Sequence, residues 1–259
     1  MTASAKWDDL RARTASAVLM VAVGAAAIWL GGPWFLALVA VVTGLMIWEL
    51  LRMLMPDAPG LARGLGLLAA SAMAASIFFS GFVILPVVAG AVLVTRQRAV
   101  FILYAPVIML AGHALVLLRY GPEGKVWLLW LVLVVVVTDI AGYFAGRIFG
   151  GPKFWPRISP KKTWSGTVAG WIGAAILGLV FMRLTGEGVA LVAVSMLASF
   201  ASQMGDIAES AIKRRMGVKD SSTLIPGHGG VLDRFDGMLG AALLVLALIG
   251  FTGYQPGAL

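Results

Sequence analysis

The chain has 259 residues, 60% of them hydrophobic and only 12% charged, with a formal net charge of +8 and no cysteine. This composition excludes an ordinary soluble domain, and the missing thiols exclude a disulfide framework, a thiolate metal site and a cysteine nucleophile. The positive surplus reads as cytoplasmic loops and contacts with anionic lipid headgroups rather than nucleic acid.

Lys6, Arg11 and Arg13 precede an apolar run over 15–30 that looks like a signal peptide, but further apolar runs follow at once, so it reads as an uncleaved first helix. Runs suited to membrane-crossing helices of about 20 residues continue near 33–51, 64–79, 82–95, 99–118, 126–146, 164–182, 189–214 and 237–254. The expected fold is an all-α integral membrane protein of nine transmembrane helices, with the third and fourth separated only by Ser80 and Gly81. With the N-terminus in the cytoplasm, all but Arg119, Lys125 and Arg183 of the 20 lysines and arginines fall inside, the bias that sets orientation. The C-terminus is then on the outer side. The expected division is a generic helical scaffold over 1–125 and a catalytic region over 126–259 carrying two basic cytoplasmic loops. The small-residue spacings Gly142 with Gly146 and Gly166 with Gly170 suit close helix approach, within one chain or in a homodimer.

In the sixth run Asp139, Tyr143 and Arg147 recur every four residues and share a helix face. A carboxylate after an apolar stretch rarely faces lipid, so it marks a working site or a network that only locks helices. The next loop, GGPKFWPRISPKKT, carries proline and glycine punctuation that is expected to stop regular structure. Ser159, Lys161, Lys162 and Thr163 stand just before a helix start, where free N–H groups suit phosphate, although topology signalling explains the lysines equally well. In the eighth run Ser202, Asp206, Glu209, Ser210 and Lys213 fall within an arc of about 100°, a polar stripe facing a cavity or a solvated helix end. Pro226, Gly227, Gly229 and Gly230 bracket His228 in a backbone that cannot be helical; beside a membrane such loops are buried in protein or line a wet cavity. Asp233 and Asp236 follow, and oxygen donors with one imidazole suit Mg2+. His113 and Glu49 read as packing groups, with Arg52 a local ion-pair partner for Glu49.

The run from Ser210 to Asp236 resembles the signature of the phosphatidate cytidylyltransferase (CDP-diacylglycerol synthase) family, at Ser210, Lys213, Arg214, Lys219, Asp220, His228, Gly229, Gly230, Asp233, Arg234 and Asp236. The Asp139, Tyr143, Gly146, Arg147 face and the Ser-Pro-Lys-Lys-Thr run at 159–163 are similar to further family elements, so the likeness covers the last half of the chain. Ser165 departs from the acidic or amide side chain that many members carry there. The resemblance implies that CTP and phosphatidic acid give CDP-diacylglycerol and pyrophosphate at the cytoplasmic face of a bacterial inner (plasma) membrane, with Mg2+ and K+ as a candidate second cation. By the same carry-over, Asp206 and Asp233 are metal ligands, and Asp139, Lys213, Asp220, His228 and Asp236 are catalytic. Tyr143, Arg147, Ser159, Lys161, Lys162, Thr163, Ser210, Arg214, Lys219 and Arg234 would bind substrate. The partners implied are CTP, phosphatidic acid and membrane lipids, with no nucleic acid and with a homodimer left open. A phosphate monoester has a second pKa near 6, so the nucleophile is already a dianion at neutral pH and needs no general base. Charge neutralisation by metal, Lys and Arg then carries the reaction. Rival readings are a secondary transporter with a carboxylate-lined ion site and a CTP-dependent lipid kinase; charge gathered toward one face of the C-terminal half favours an interfacial enzyme.

Overall fold

A computed structural model describes residues 3–252, with side chains described for residues 13–251. Among the described residues are nine α-helices: α1 (Ala3–Leu30), α2 (Gly32–Leu54), α3 (Pro59–Ala75), α4 (Leu85–Leu93), α5 (Arg98–Tyr120), α6 (Gly124–Ile148), α7 (Trp164–Thr185), α8 (Ala190–Arg215) and α9 (Leu232–Thr252). Seven of the described helices, α1, α2 and α5 to α9, are long and apolar enough to cross a membrane, as in a multi-spanning membrane protein. The two weak segments are helical but short. α3 has 17 residues, about 26 Å at 1.5 Å per residue, which falls short of a hydrocarbon core of about 30 Å. The next segment breaks into a 3-10 turn over Ser80–Ile84 followed by α4, with a proline in the first turn of α4. The end of the ninth expected run, past 252, lies outside the described residues.

The 150–163 loop is more regular than its punctuation suggests. Two short strands, β1 (Lys153–Trp155) and β2 (Ser159–Thr163), pair antiparallel with Lys153 opposite Thr163 and Trp155 opposite Ser159. Proline is excluded only from central strands, and a two-stranded ribbon has none, so Pro160 fits within β2. The fold is therefore all-α apart from this ribbon. The Phe154 ring packs edge-on against Trp164, and the Trp164 N–H donates to the Pro152 carbonyl at 3.0 Å.

The chain divides into two compact units, one of Met1–Met109 with Arg215–Phe235 and the other of Leu110–Arg214 with Asp236–Leu259. In the first, α2 packs on α3 around buried Met46, Ile47, Leu50, Leu65, Ala69 and Met73. Contact is close because Gly44 offers no side chain to Gly66 or Ala70; a Cβ there would lie 2.7 Å from the Gly66 carbonyl oxygen. In the second unit, α6 packs on α7. Trp130 donates to the Ser195 hydroxyl at 3.0 Å, and the Thr138 and Ser199 hydroxyls pair at 2.8 Å, joining α6 to α8. Where aqueous driving force is absent, close packing and a few interhelical hydrogen bonds hold helices together.

Gly142 and Gly166 face one another inside this unit, which gives these small-residue spacings an intramolecular use. A Cβ on Gly166 would stand 2.5 Å from the Gly142 carbonyl oxygen. Gly166→Ala is expected to push α6 from α7 and cost about 1–3 kcal/mol as overpacking, read as a lower melting temperature of the detergent-purified protein. An unchanged melting temperature would contradict this packing.

Candidate active site

The first unit builds its site on the segment between α8 and α9. Ile225 to His228 form a tight turn, closed by the His228 N–H on the Ile225 carbonyl at 2.9 Å. Pro226 fixes its second position and Gly227, with φ of 73°, supplies the left-handed conformation that its third position requires. Ile225 N–H then donates to Gly229 O at 2.7 Å, so the turn is a small closed knuckle.

Two carboxylates hold the base of this knuckle. Asp233 Oδ2 accepts from Ser221 N at 2.9 Å, Ser221 Oγ at 2.9 Å and Gly230 N at 2.7 Å. Glu49 of α2, 0% exposed, accepts from Ser222 Oγ at 2.6 Å and Val231 N at 2.9 Å on Oε1. Its Oε2 accepts from Leu232 N at 2.7 Å and Ser221 Oγ at 3.2 Å. The pair of glycines after His228 is a steric condition of this arrangement. A Cβ on Gly229 would lie 2.7 Å from Asp233 Oδ2; one on Gly230 would run into Ser221 Oγ and lie 2.5 Å from Glu49 Oε1.

α1 meets the knuckle from outside. Ser16 Oγ lies 2.8 Å from His228 Nδ1, 3.1 Å from Pro226 O and 3.0 Å from Arg13 O. A serine has one proton, and both carbonyls can only accept. With that proton donated to a carbonyl, Nδ1–H of the neutral ring donates to Ser16 and Nε2 carries the lone pair. Beside the knuckle is a cavity of about 650 Å3 lined by Arg13, Lys219, Asp220, His228 and Arg234, with Ser222 and Thr223. Three cations and the Thr223 hydroxyl make it suited to a phosphate-bearing ligand.

In the second unit, Asp139, Tyr143 and Arg147 do share one face of α6, and Arg147 Nη1 donates to Tyr143 Oη at 2.8 Å. That face lines a cavity of about 380 Å3 together with Lys161, Lys162, Thr163 and Gln203. Ser159 lies at the start of β2, while Thr163 caps α7 by accepting from the Gly166 N–H at 3.2 Å. Ser165, the departure from the expected pattern, donates to Gly150 O at 2.5 Å and pairs with Thr163 Oγ1 at 3.0 Å, tying the ribbon to α7. The polar stripe of α8 turns inward: Ser202 and Glu209 are buried, Asp206, Ser210 and Lys213 half-buried, and Arg214 exposed. Lys162 reaches Asp206 Oδ2 at 2.6 Å, Ser210 Oγ donates to Asp206 Oδ1 at 3.2 Å, and Lys213 pairs with Glu209 at 2.5 Å. Asp236, whose Oδ1 accepts from Gly237 N at 2.7 Å, stands within electrostatic range of Asp206, Lys213 and Asp139.

Among the described residues no three His, Asp or Glu side chains are grouped so as to hold a metal ion. A protein-only cage is thus not what these residues build. Mg2+, however, usually takes one or two carboxylates and keeps water and substrate phosphate oxygens for the rest. The oxygen donors here fit that habit.

Sequence reasoning passed over Arg13, Ser16, Glu49, Ser221 and Ser222 as site residues. Glu49 carried a usable signal: it is a carboxylate inside the apolar run LMIWELL, the same feature that marked Asp139. Ser16, in a stretch of small residues, carried none.

A family model described as "Cytidylyltransferase family" matches residues 11–252. The chain belongs to this family. The match takes in Arg13, Ser16 and Glu49 as well as the 210–236 run. Among relatives, the phosphatidate cytidylyltransferase of Brucella suis is 50% identical over 139 residues, covering 52% of this chain and 50% of that protein. The phosphatidate cytidylyltransferase of Staphylococcus saprophyticus is 44% identical over 120 residues, 45% of this chain and 46% of that protein. That of Helicobacter pylori is 42% identical over 134 residues, 51% and 50% respectively. The chain thus spans about half the length of the curated relatives it matches.

The Ser16 contact can be tested without an activity assay, because the chain has two histidines. In 15N-histidine NMR of the detergent-solubilised protein, neutral His228 is expected to carry its proton on Nδ1, and Ser16→Ala to shift it toward a mixture with the Nε2–H tautomer. A parent protein already in the Nε2–H form would contradict the assignment.

Proposed function

We propose that the protein is a phosphatidate cytidylyltransferase, transferring the cytidylyl group of CTP to phosphatidic acid and releasing pyrophosphate. The observation that carries this reading is the 210–236 run, which supplies Lys219, Asp220, His228 and Arg234 to a cationic cavity in a chain of the cytidylyltransferase family. The names of its relatives favour it over a secondary transporter or a CTP-dependent lipid kinase.

In the reaction an oxygen of the phosphatidate monoester forms a bond to the α-phosphorus of CTP, and the bond from that phosphorus to the bridging β-phosphate oxygen breaks. Both reactants are anions, so the residues' task is to bring them together against repulsion. In the first unit, Arg13, Lys219 and Arg234 would neutralise phosphate oxygens, while Thr223 donates a hydrogen bond. In the second, Arg147 and Lys161 offer cations at the α6 cavity, and Lys162 is held there by Asp206. Arg214, exposed at the end of α8, would offer phosphate a further cation in the second unit. His228, with Nδ1 engaged by Ser16, presents Nε2, which only as the N–H of the imidazolium would orient or protonate departing pyrophosphate. Asp206 in the second unit and Asp233 in the first would each be the first holder of Mg2+ in its own unit, with Asp139 and Asp236 next. When bound, such an ion would neutralise charge on phosphate oxygens; K+ is the candidate second cation. Tyr143, Ser159, Thr163 and Ser210 would orient substrate or neighbouring charged groups, and Lys213 and Asp220 complete the charge pattern.

On this reading the N-terminus and both basic segments face the cytoplasm of a bacterial inner membrane, where CTP is found. The 126–259 region with its basic loops does most of the chemistry, with Arg13 and Ser16 added from the 1–125 scaffold, and a homodimer is the proposed assembly. Purified protein given CTP, phosphatidic acid and Mg2+ is expected to form CDP-lipid and pyrophosphate. Asp206→Asn and Asp233→Asn are each expected to lower turnover by about three orders of magnitude, or about 4 kcal/mol of transition-state stabilisation, with an unchanged elution profile in detergent. Near-parental magnesium-dependent turnover in both variants would overturn the metal assignment.

A further inference from the structure

We propose that Glu49, on α2, is a positioning residue for the reaction: it anchors the 221–232 segment so that His228 and Asp233 keep their places. The proposal rests on the cytidylyl-transfer reading above. Its physical basis is the cost of taking a carboxylate out of water. Such a group is tolerated only when its lone pairs are filled, and Glu49 is 0% exposed.

Each Glu49 oxygen has two donors within hydrogen-bond distance, and all four donors lie in this one segment. Ser221 and Ser222 donate from its beginning, Val231 and Leu232 from its junction with α9. The last two are N–H groups at a helix start, which have no partner within the helix and carry the positive end of its dipole. Between the clamped ends lies the knuckle with His228, Gly229 and Gly230. Glu49 also touches Asp233 indirectly, because the single proton of Ser221 Oγ is contested by Glu49 Oε2 at 3.2 Å and Asp233 Oδ2 at 2.9 Å. A displaced Glu49 is therefore felt at Asp233 through one hydroxyl.

A local ion pair does not account for this residue. Arg52 donates instead to the Pro56 carbonyl at 3.1 Å. Nor does helix packing, since α2 approaches α3 through Gly44 and Trp48. The bonds of Glu49 go to the segment that bears the signature residues, which is why the effect of losing it should be local.

Glu49→Gln keeps the shape but turns one acceptor into a donor. Serine hydroxyls can rotate away from an amide, whereas a backbone N–H of Val231 or Leu232 cannot. Hydrogen exchange measured without substrate should rise about tenfold or more in peptides covering 221–232, while α2 and α3 exchange as in the parent. In the presence of CTP and phosphatidic acid, kcat should fall about tenfold or more with KM for CTP held within about twofold, because positioning is lost rather than ground-state binding. Glu49→Ala should do the same, and Arg52→Ala should change neither quantity. Parental kcat and parental protection in Glu49→Gln would overturn the proposal, as would protection lost equally from α2 and α3, the mark of a residue that only stabilises the fold. A parent protein without cytidylyl transfer would end the reaction half of the proposal, with the exchange data reporting the anchoring separately.

Discussion

The first unit depends on two carboxylates that have been withdrawn from water. Between them Glu49 and Asp233 accept six hydrogen bonds at a time from Ser221, Ser222, Gly230, Val231 and Leu232, the single Ser221 hydroxyl proton serving one acid or the other. A non-helical segment joining apolar helices has no regular ladder to satisfy its N–H groups, and these side chains replace one. In return the backbone must come close enough to reach them, which forbids a Cβ at Gly229 and Gly230. The His-Gly-Gly sequence is thus a consequence of where the acids stand, and the cationic cavity beside it takes its shape from that backbone.

The second unit solves a different problem with similar means. α6 and α8 are apolar helices whose polar residues meet, Thr138 on Ser199 and Trp130 on Ser195, while Lys162 of β2 reaches Asp206 on α8 and Lys213 pairs with Glu209 one turn back along α8. Glycines at 142 and 166 let backbones touch. Each unit therefore presents cations next to acids at the edge of apolar helices. For the proposed cytidylyl transfer, in which two anions must meet, cations would bring phosphates together and acids would hold the cations, or a metal, in place.

The apolar helices were readable because length and hydropathy alone dictate them; α3 and α4 are short because the chain leaves the α-helix between them, around Ser80 and Gly81, and Pro59 and Pro86 stand in the first turns where the two helices begin. The ribbon at 153–163 was not readable, since its prolines argue against strands in general while two edge strands tolerate them. The α6 face of Asp139, Tyr143 and Arg147 followed from spacing within one helix. Contacts between distant residues did not: Lys162 meets Asp206 across 44 positions, Glu49 meets Ser221 across 172, and Ser16 meets His228 across 212. Arg52, three residues from Glu49, offered a simpler partner that the helix does not use. Local pattern thus found the charged groups, and only the fold assigned their partners.

The claim on which the account turns is that the bond made to the lipid phosphate is to the α-phosphorus of CTP. Position-labelled CTP tests it directly. With phosphatidic acid, Mg2+ and the purified protein, label in the α-phosphate should appear in the lipid product and label in the γ-phosphate should leave as pyrophosphate. Transfer of the γ-label to lipid, or no label in lipid from either position, would contradict the account.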